Sequence, residues 1–285
     1  MNFAQLRAFA AVATHGGFSA AARAIGVTQP ALTHQVRALE AHYGVTLFLR
    51  QGRRVVVTPL AEDLLRLARR LNSVADDADA LLAAAGGLQT GALRIAADGP
   101  YHVVPVIVRL RATHPGLALT VTVGNSAIAE QRLLDVASDV AILAQSSDDE
   151  RLYARRIAKH PIVAFVARRH PWAKARRVRP EELHQAPMVM REPGSATRQA
   201  FDAWTKRRGV QPKAVLEIES REAVREAVAA GLGFGVVSLP ELGADERVTA
   251  VEIHEAALFT EEHAVCLADR RKDRAIKAFF EAAIG

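Results

Sequence analysis

One stretch constrains this chain more than any other: residues 18–40, FSAAARAIGVTQPALTHQVRALE. It carries two short helical patterns separated by a glycine turn. Upstream, Phe3, Leu6, Phe9, Ala10 and Ala13 recur at helical spacing and predict a helix from about Phe3 to Thr14. His15-Gly16-Gly17 stops it, because glycine takes the positive φ that a helix end needs. Phe18 is expected as a buried anchor and Ser19 as the N-cap of a second helix to Ala24. Ile25-Gly26-Val27 forms the tight turn. Thr28 then caps a third helix to about Tyr43, with Pro30 in its first turn and Leu32, Val36 and Leu39 facing inward. Ala20, Ala21 and Ala22 are small enough to let the second helix lie close against the third. Two short helices joined this way form a helix-turn-helix.

In such motifs the first residues of the second paired helix enter the major groove of DNA. Here those are Gln29, Pro30, Ala31, Thr33 and His34. Gln29 suits bidentate bonding to a base edge, and Ala31 suits a thymine methyl. Ser19, Thr28 and Arg37 complete the expected DNA-facing set on this helix pair. The following LFLRQGRRVVVTP holds two β-prone runs around Gln51-Gly52, a hairpin whose tip carries Arg50, Arg53 and Arg54. Such a wing lays arginines along phosphates or into a minor groove. Charge agrees: residues 1–58 hold six arginines and one acid, Glu40, whereas the whole chain is only +6. A basic head on a near-neutral body suits a polyanion. The plainer alternative is a three-helix bundle with Gln29 and Thr33 merely solvated.

From Phe3 to Thr58 the run resembles the winged helix-turn-helix of LysR-type transcriptional regulators. The matching pieces are Phe18-Ser19, Ala21-Ala22, Thr28 to Thr33, Leu39-Glu40, Gly44, Leu47-Phe48 and Arg50. Two positions depart from the family pattern. Thr33 stands where serine is frequent. Glu62 stands where glycine is common, which leaves open how the next helix is entered.

Leu60, Leu64, Leu67, Leu71, Val74, Ala78 and Leu81 alternate at four and three, a heptad seam. The seam predicts a linker helix that pairs two copies through residues 60–82, and Gly86-Gly87 and Gly91 end it. A single helix packing on its own body would also give a stripe. A two-fold dimer reads two half-sites, so double-stranded DNA with an interrupted inverted repeat is expected. The resemblance also implies a tetramer and contact with RNA polymerase.

Beyond Ala92 the pattern becomes strand, helix, strand: ALRIAAD, Val103–Thr113, LALTVTVG, a helix capped by Ser126, then DVAILA. That order predicts a parallel sheet with right-handed crossovers. PIVAFVARRHPWA opens a second such unit with helices over 196–208 and 221–230, and HAVCLAD with a helix over 271–284 returns to the first. The expected architecture is therefore an N-terminal all-α winged helix-turn-helix, a long linker helix, and an α/β periplasmic-binding-protein-like effector domain of two subdomains. The expected boundaries are 1–58, 59–87 and 88–285. Within the last, subdomain I covers about 91–161 and 265–285, and subdomain II about 162–264.

Ligands of open α/β sheets sit beyond the carboxyl ends of strands, near helix starts. That rule selects Asp98, Gly99, Pro100, Tyr101 and His102 after the first strand and Asn125 and Ser126 after the second. It selects Gly194, Ser195, Thr197 and Arg198 at one later helix start, and Ser220 and Arg221 at another. Helix starts with arginines suit a small anion, while Asp98 or Glu192 suits an ammonium. Each serine or threonine alone is more readily a simple N-cap, and Arg198 and Arg221 equally suit inter-subunit or surface salt bridges. AADGPYHVVP, VGNSA, REPGSATR and ESREAVREAVAAGLGFGVV are similar to the LysR-type regulators associated with 2-aminoethylphosphonate catabolism. The likeness implies that compound or a related phosphonate as effector. A small carboxylate, or a solute-binding module without regulation, are the alternatives.

Catalysis is not expected. The single Cys266 lies in an apolar strand, the histidines fall at no metal-ligand spacing, and neither G-x-S-x-G nor a P-loop appears. Gly231, Gly233 and Gly235 read as a tight turn and close packing. No metal or cofactor beyond the effector is expected. One cysteine, no secretory signal and no long apolar run point to the cytoplasm, with no membrane partner.

Overall fold

The computed structural model describes residues 1–51, 54–85, 91–145, 147–254 and 257–285. They pack as two units, residues 1–91 with 135–137, and residues 92–134 with 138–285.

The first unit opens with α1 (Phe3–His15), α2 (Phe18–Ala24) and α3 (Gln29–Tyr43). Asn2 caps α1 in a reciprocal box with Gln5, and Gly16 ends it at φ 68. Leu6 and residues 8–12 are all buried, because α2, α3 and α4 each pack on a side of α1. Phe3, expected on that inner face, is exposed. Gly26 turns the chain between α2 and α3 at φ 70. Ala21 is fully enclosed and Ala22 nearly so, as a close helix crossing requires. Thr28 accepts from the Ala31 amide, and Leu32, Val36 and Leu39 face the core.

Two local expectations fail. Ser19 does not cap α2: the N-cap is Gly17, and the Ser19 hydroxyl donates to Gln29 Oε1 at 2.8 Å. Phe18 is half-buried, with its ring edge-on to Phe48.

The hairpin forms from β1 (Phe48–Gln51) and β2 (Arg54–Val57), with Phe48 opposite Val57. Arg53 lies outside the described residues, as do the side chains of Arg50 and Arg54. Glu40 fastens the hairpin to α3: its Oε1 accepts from the amides of Leu47 at 2.8 Å and Phe48 at 3.3 Å. Thr58 caps α4 (Pro59–Ala85) through the Ala61 amide and donates to Thr46 O, so Glu62 leaves the helix entry intact.

The heptad stripe of α4 divides in two. Leu64 turns into the head core beside Ala61, Leu65 and Ala68. Leu60, Leu67, Leu71 and Val74 stay on the outside, each more than 40% exposed. A helix that must both pack on α1 and pair outward cannot give one face to both. The Leu81 side chain, Gly86 and Gly87 lie outside the described residues.

The second unit begins with β3 (Gly91–Ala97), α5 (Pro100–Thr113), β4 (Leu117–Val123), α6 (Ser126–Leu134) and β5 (Val140–Leu143). Then comes one 16-residue strand, β6 (Leu152–Ala167). Next are α7 (Pro171–Ala175), β7 (Arg177–Val178), β8 (Pro187–Arg191), α8 (Ala196–Arg208), β9 (Lys213–Ile218), α9 (Arg221–Ala229) and β10 (Gly235–Ser238). β11 (Val248–Ile253), β12 (Phe259–Leu267) and α10 (Arg274–Ile284) complete it. The last helix starts three residues later than expected, after a 3-10 turn over Ala268–Arg270.

The main sheet runs β4-β3-β5-β12-β6-β11-β7, with β10 also on β6. β3 pairs parallel with β5, and β8 with β9, as the strand-helix alternation requires. The sheet is nevertheless mixed: β12 is antiparallel to both β5 and β6, and β10 and β11 are antiparallel to β6. The chain goes out along β6 and comes back along β12, so these neighbours oppose each other. One core collects Ile95, Leu110, Ile142 and Phe279 around α5 and α10; another collects Phe201, Trp204 and Phe234. Cys266 is enclosed in the first, and burial pushes its thiol up to about 12. At Gly233 a Cβ would stand 2.3 Å from Pro187 O, so this glycine serves close backbone packing.

Replacing Glu40 by Ala should destabilise the first unit by about 1–3 kcal/mol, because a buried amide loses its acceptor. Faster hydrogen exchange at Leu47 and Phe48 in the full chain is the expected readout; unchanged protection would remove Glu40 from this role.

Candidate DNA-facing surface and effector site

The N-terminal turn of α3 presents Gln29, Pro30, Ala31 and His34 to solvent, with Arg37 one turn on and Thr33 half-buried. The Ser19 bond to Gln29 Oε1 leaves the amide NH2 of Gln29 as the outward donor. Ser19 therefore aims a neighbouring side chain. The Thr28 hydroxyl is occupied by its own cap. Among the described residues 1–51 and 54–58 the only acid, Glu40, is turned inward onto the hairpin, so its charge does not face this surface.

In the second unit the strand ends bring most of the expected effector residues together. Asp98, at the end of β3, is buried and accepts from the Ser126 hydroxyl at 2.7 Å and the Ala144 amide at 2.6 Å. Ser126 is therefore not the cap of α6. Asn125 is, through Ile128 N at 2.9 Å, and its Nδ2 donates to Glu192 Oε1 at 3.0 Å. The Gly194 carbonyl accepts from Ala127 N, and a Cβ on Gly194 would stand 2.7 Å from the Asn125 amide. Arg221 Nη2 lies 2.9 Å from Glu241 Oε1 and 3.4 Å from Asp98 O. Gly99 lets it in, since a Cβ there would be 2.6 Å from Arg221 Nη1. Polar groups from the α5–α6 side thus bond directly to those from the α8–α9 side.

Other expected residues sit differently. Ser195 and Ser220 cap α8 and α9 through the amides of Arg198 and Ala223. Arg198 is engaged by Glu217 at 2.7 Å, Asp202 at 3.2 Å and the Arg191 carbonyl at 2.5 Å. Thr197 is buried in the first turn of α8, Pro100 starts α5, and Tyr101 is exposed with its ring edge-on to His102. Arg191 forks onto Glu192 with both bonds at 2.8 Å; burial acts to raise the Glu192 carboxyl, and Arg191 holds it below the ordinary range. Ala144, Ala196, Gln199, Phe259 and His263 line a cavity of about 390 Å³.

Sequence reasoning missed Glu241, Glu262 and His160. Glu262 is enclosed in β12, 3.6 Å from His102 Nε2, and His102 stacks on His160 at 5.0 Å. A signal existed: Glu262 is in phase with Thr260, Ala264 and Cys266, and so points inward with them. Burial, with Asp98 and Glu241 nearby, pushes the Glu262 carboxyl up to about 9. Burial likewise raises Glu241 to about 7, against Arg221. Burial raises Asp98 too, against Ser126, Ala144 and Arg221. Burial lowers His102 to about 4, helped by His160 and Arg221. Among the described residues no cluster has the donors to hold a metal ion, and no helix is long and apolar enough to cross a membrane.

Residues 3–62 match the bacterial regulatory helix-turn-helix protein, lysR family, and residues 86–284 match the LysR substrate binding domain. The chain belongs to the LysR family. It is a DNA-binding transcriptional regulator with a small-molecule effector domain. A RuBisCO operon transcriptional regulator from Acidithiobacillus ferrooxidans is 31% identical over 97% of this chain and 91% of its own length. A full-length OxyR variant from Pseudomonas aeruginosa shares the LysR fold at TM-score 0.77 and 24% identity, covering 99% of this chain and 94% of that one. The Synechocystis CcmR regulatory domain in complex with 2-PG is 25% identical, with TM-score 0.64, over 68% of this chain and 96% of that domain. The expected likeness to phosphonate regulators finds no support among these relatives. The LysR assignment replaces the solute-binding module as a reading.

Glu241 and Glu262 hold protons in the folded chain that they release on unfolding. Stability contributed by their neutral forms is full below about 4.5 and is lost as pH rises toward about 7 and about 9. His102 works in the opposite sense, but only between about 4 and 6.5. The melting temperature should therefore fall from pH 6.5 to 9, with a shallower fall in Glu262→Gln; equal slopes would show that Glu262 does not titrate in this window.

Proposed function

We propose that this LysR-type regulator acts as a dimer on double-stranded DNA. The α3 start reads bases in each half of an interrupted inverted repeat, and Arg50, Arg53 and Arg54 contact the backbone. The observation that carries the reading is the exposed first turn of α3, where Ser19 fixes Gln29 with its NH2 outward. The outer stripe Leu60, Leu67, Leu71 and Val74 suits pairing of two linker helices. The domains taken to do this are residues 1–58, 59–87 and 88–285. A tetramer and contact with RNA polymerase follow from the same family reading.

The effector site in this proposal is the junction of Asp98, Gly99, Asn125, Ser126, Gly194, Ser195, Thr197 and Arg221. The bonds Asn125–Glu192, Ala127–Gly194 and Arg221–Asp98 join its two sides. An effector that exchanges with these bonds changes the angle between the subdomains, provided it binds one arrangement more tightly. The N-terminus of α8, with the Thr197 hydroxyl, suits a small acid. The 2-PG bound by CcmR is one candidate. A phosphonate such as 2-aminoethylphosphonate, or a small carboxylate, fits the same helix start.

Gln29→Ala should relax base preference at one operator position, costing about 1–3 kcal/mol there; unchanged preference in a binding-site selection removes Gln29 from readout. Melting of the full chain against 2-PG, 2-aminoethylphosphonate, phosphonoacetate, phosphate and simple carboxylates tests the site. Ligand at about a hundred times its dissociation constant adds roughly 2.7 kcal/mol. A shift that Gly194→Ala abolishes supports the site, and a shift that this variant leaves intact places the effector elsewhere.

A further inference from the structure

Elsewhere in the second unit, several buried or clustered charges are matched. Arg94 and Arg270 meet Asp139, Arg191 meets Glu192, Arg198 meets Glu217, and Arg247 meets Glu226 and Asp245. The floor of the effector site is different. Asp98, Glu241 and Glu262 gather around Arg221, which is already on Glu241; Arg191, which also acts on Glu241, is forked onto Glu192. Asp98 has two donors of its own. Glu262 is 1% exposed, and neither of its oxygens makes a well-formed hydrogen bond, with Thr260 beside it and His102 Nε2 3.6 Å away.

A buried carboxyl without a well-formed hydrogen bond is costly, and a methionine or leucine in β12 would avoid it. Groups that work against stability in this way gather at functional sites. Resting on the reading of this junction as the effector site, we propose that the effector carries an ammonium group, and that Glu262 is its counter-charge. Asp98 lies close enough to share the charge, and the imidazole of His102 adds an acceptor. Glu262 holds a proton in the folded chain; it gives that proton to solvent as the ammonium enters, and the pair stays neutral. The acid end of the same molecule then lies toward the α8 start, so the ligand class is a small zwitterion rather than a simple anion.

The test uses the full chain and two matched pairs of probes. One pair is 2-aminoethylphosphonate and ethylphosphonate; the other is β-alanine and propionate. Calorimetry at pH 7.5 on the wild type and Glu262→Gln should show at least tenfold tighter binding of an amine-bearing member than of its partner. Glu262→Gln should cut that affinity at least tenfold and leave the amine-free member within twofold. The variant's cooperative melting confirms that it folds. Equal binding of both members of a pair overturns the inference and leaves the effector site standing. So does binding of 2-PG, which carries no amine, that Glu262→Gln leaves unchanged. Amine-dependent binding that survives Glu262→Gln overturns the role of Glu262.

Discussion

The effector unit depends on the antiparallel pairing of β6 with β12. One 16-residue strand carries the chain from the α5–α6 side to the α8–α9 side, and β12 returns it. The near half of β6 pairs only with β12, which hands on to β5, while the far half takes β10 and β11. β12 pairs with β6 along its whole length and with β5 over His263–Cys266, so it ties the sheet together. The strand ends that carry Asp98, Asn125, Gly194 and Arg221 converge above it. The register shifts between Glu262 and His263, and a local break of that kind re-aims side chains beside a site.

Charge is handled differently in the two units. In residues 1–58 the lone acid, Glu40, is spent on the hairpin amides, against six arginines. That leaves a field suited to phosphates. In the effector unit many arginines are held by carboxylates, Arg198 among them, so arginine in the sequence is a poor guide to anion binding there. The mismatch runs the other way, toward unpaired acid at the floor of the junction.

Caps show where local reasoning succeeds and fails. Thr28, Ser195 and Ser220 cap the helices that their positions suggest, because a hydroxyl at a helix start needs only an amide three residues on. Ser19 and Ser126 look the same in sequence, yet their hydroxyls go to Gln29 and Asp98, partners 10 and 28 residues away. Both displaced serines sit at the surfaces with the strongest functional reading. A side chain withdrawn from its local bond marks a place where the fold has another use for it.

The sequence by itself determined the helices of the head, the hairpin, the linker and the alternation of strands and helices beyond Ala92. These follow from periodicity and from glycine and proline, which act over a few residues. It also brought the strand ends forward as a candidate site, since that rule depends on element order alone. Tertiary structure decided that PIVAFVA is the far half of a strand beginning at Leu152, and that the sheet is mixed. It also divided the α4 stripe between the core and the outside, and it set Glu262 beside His102, Asp98 and Glu241. Those outcomes depend on which strands become neighbours, and pairing between residues a hundred positions apart leaves no period in the chain.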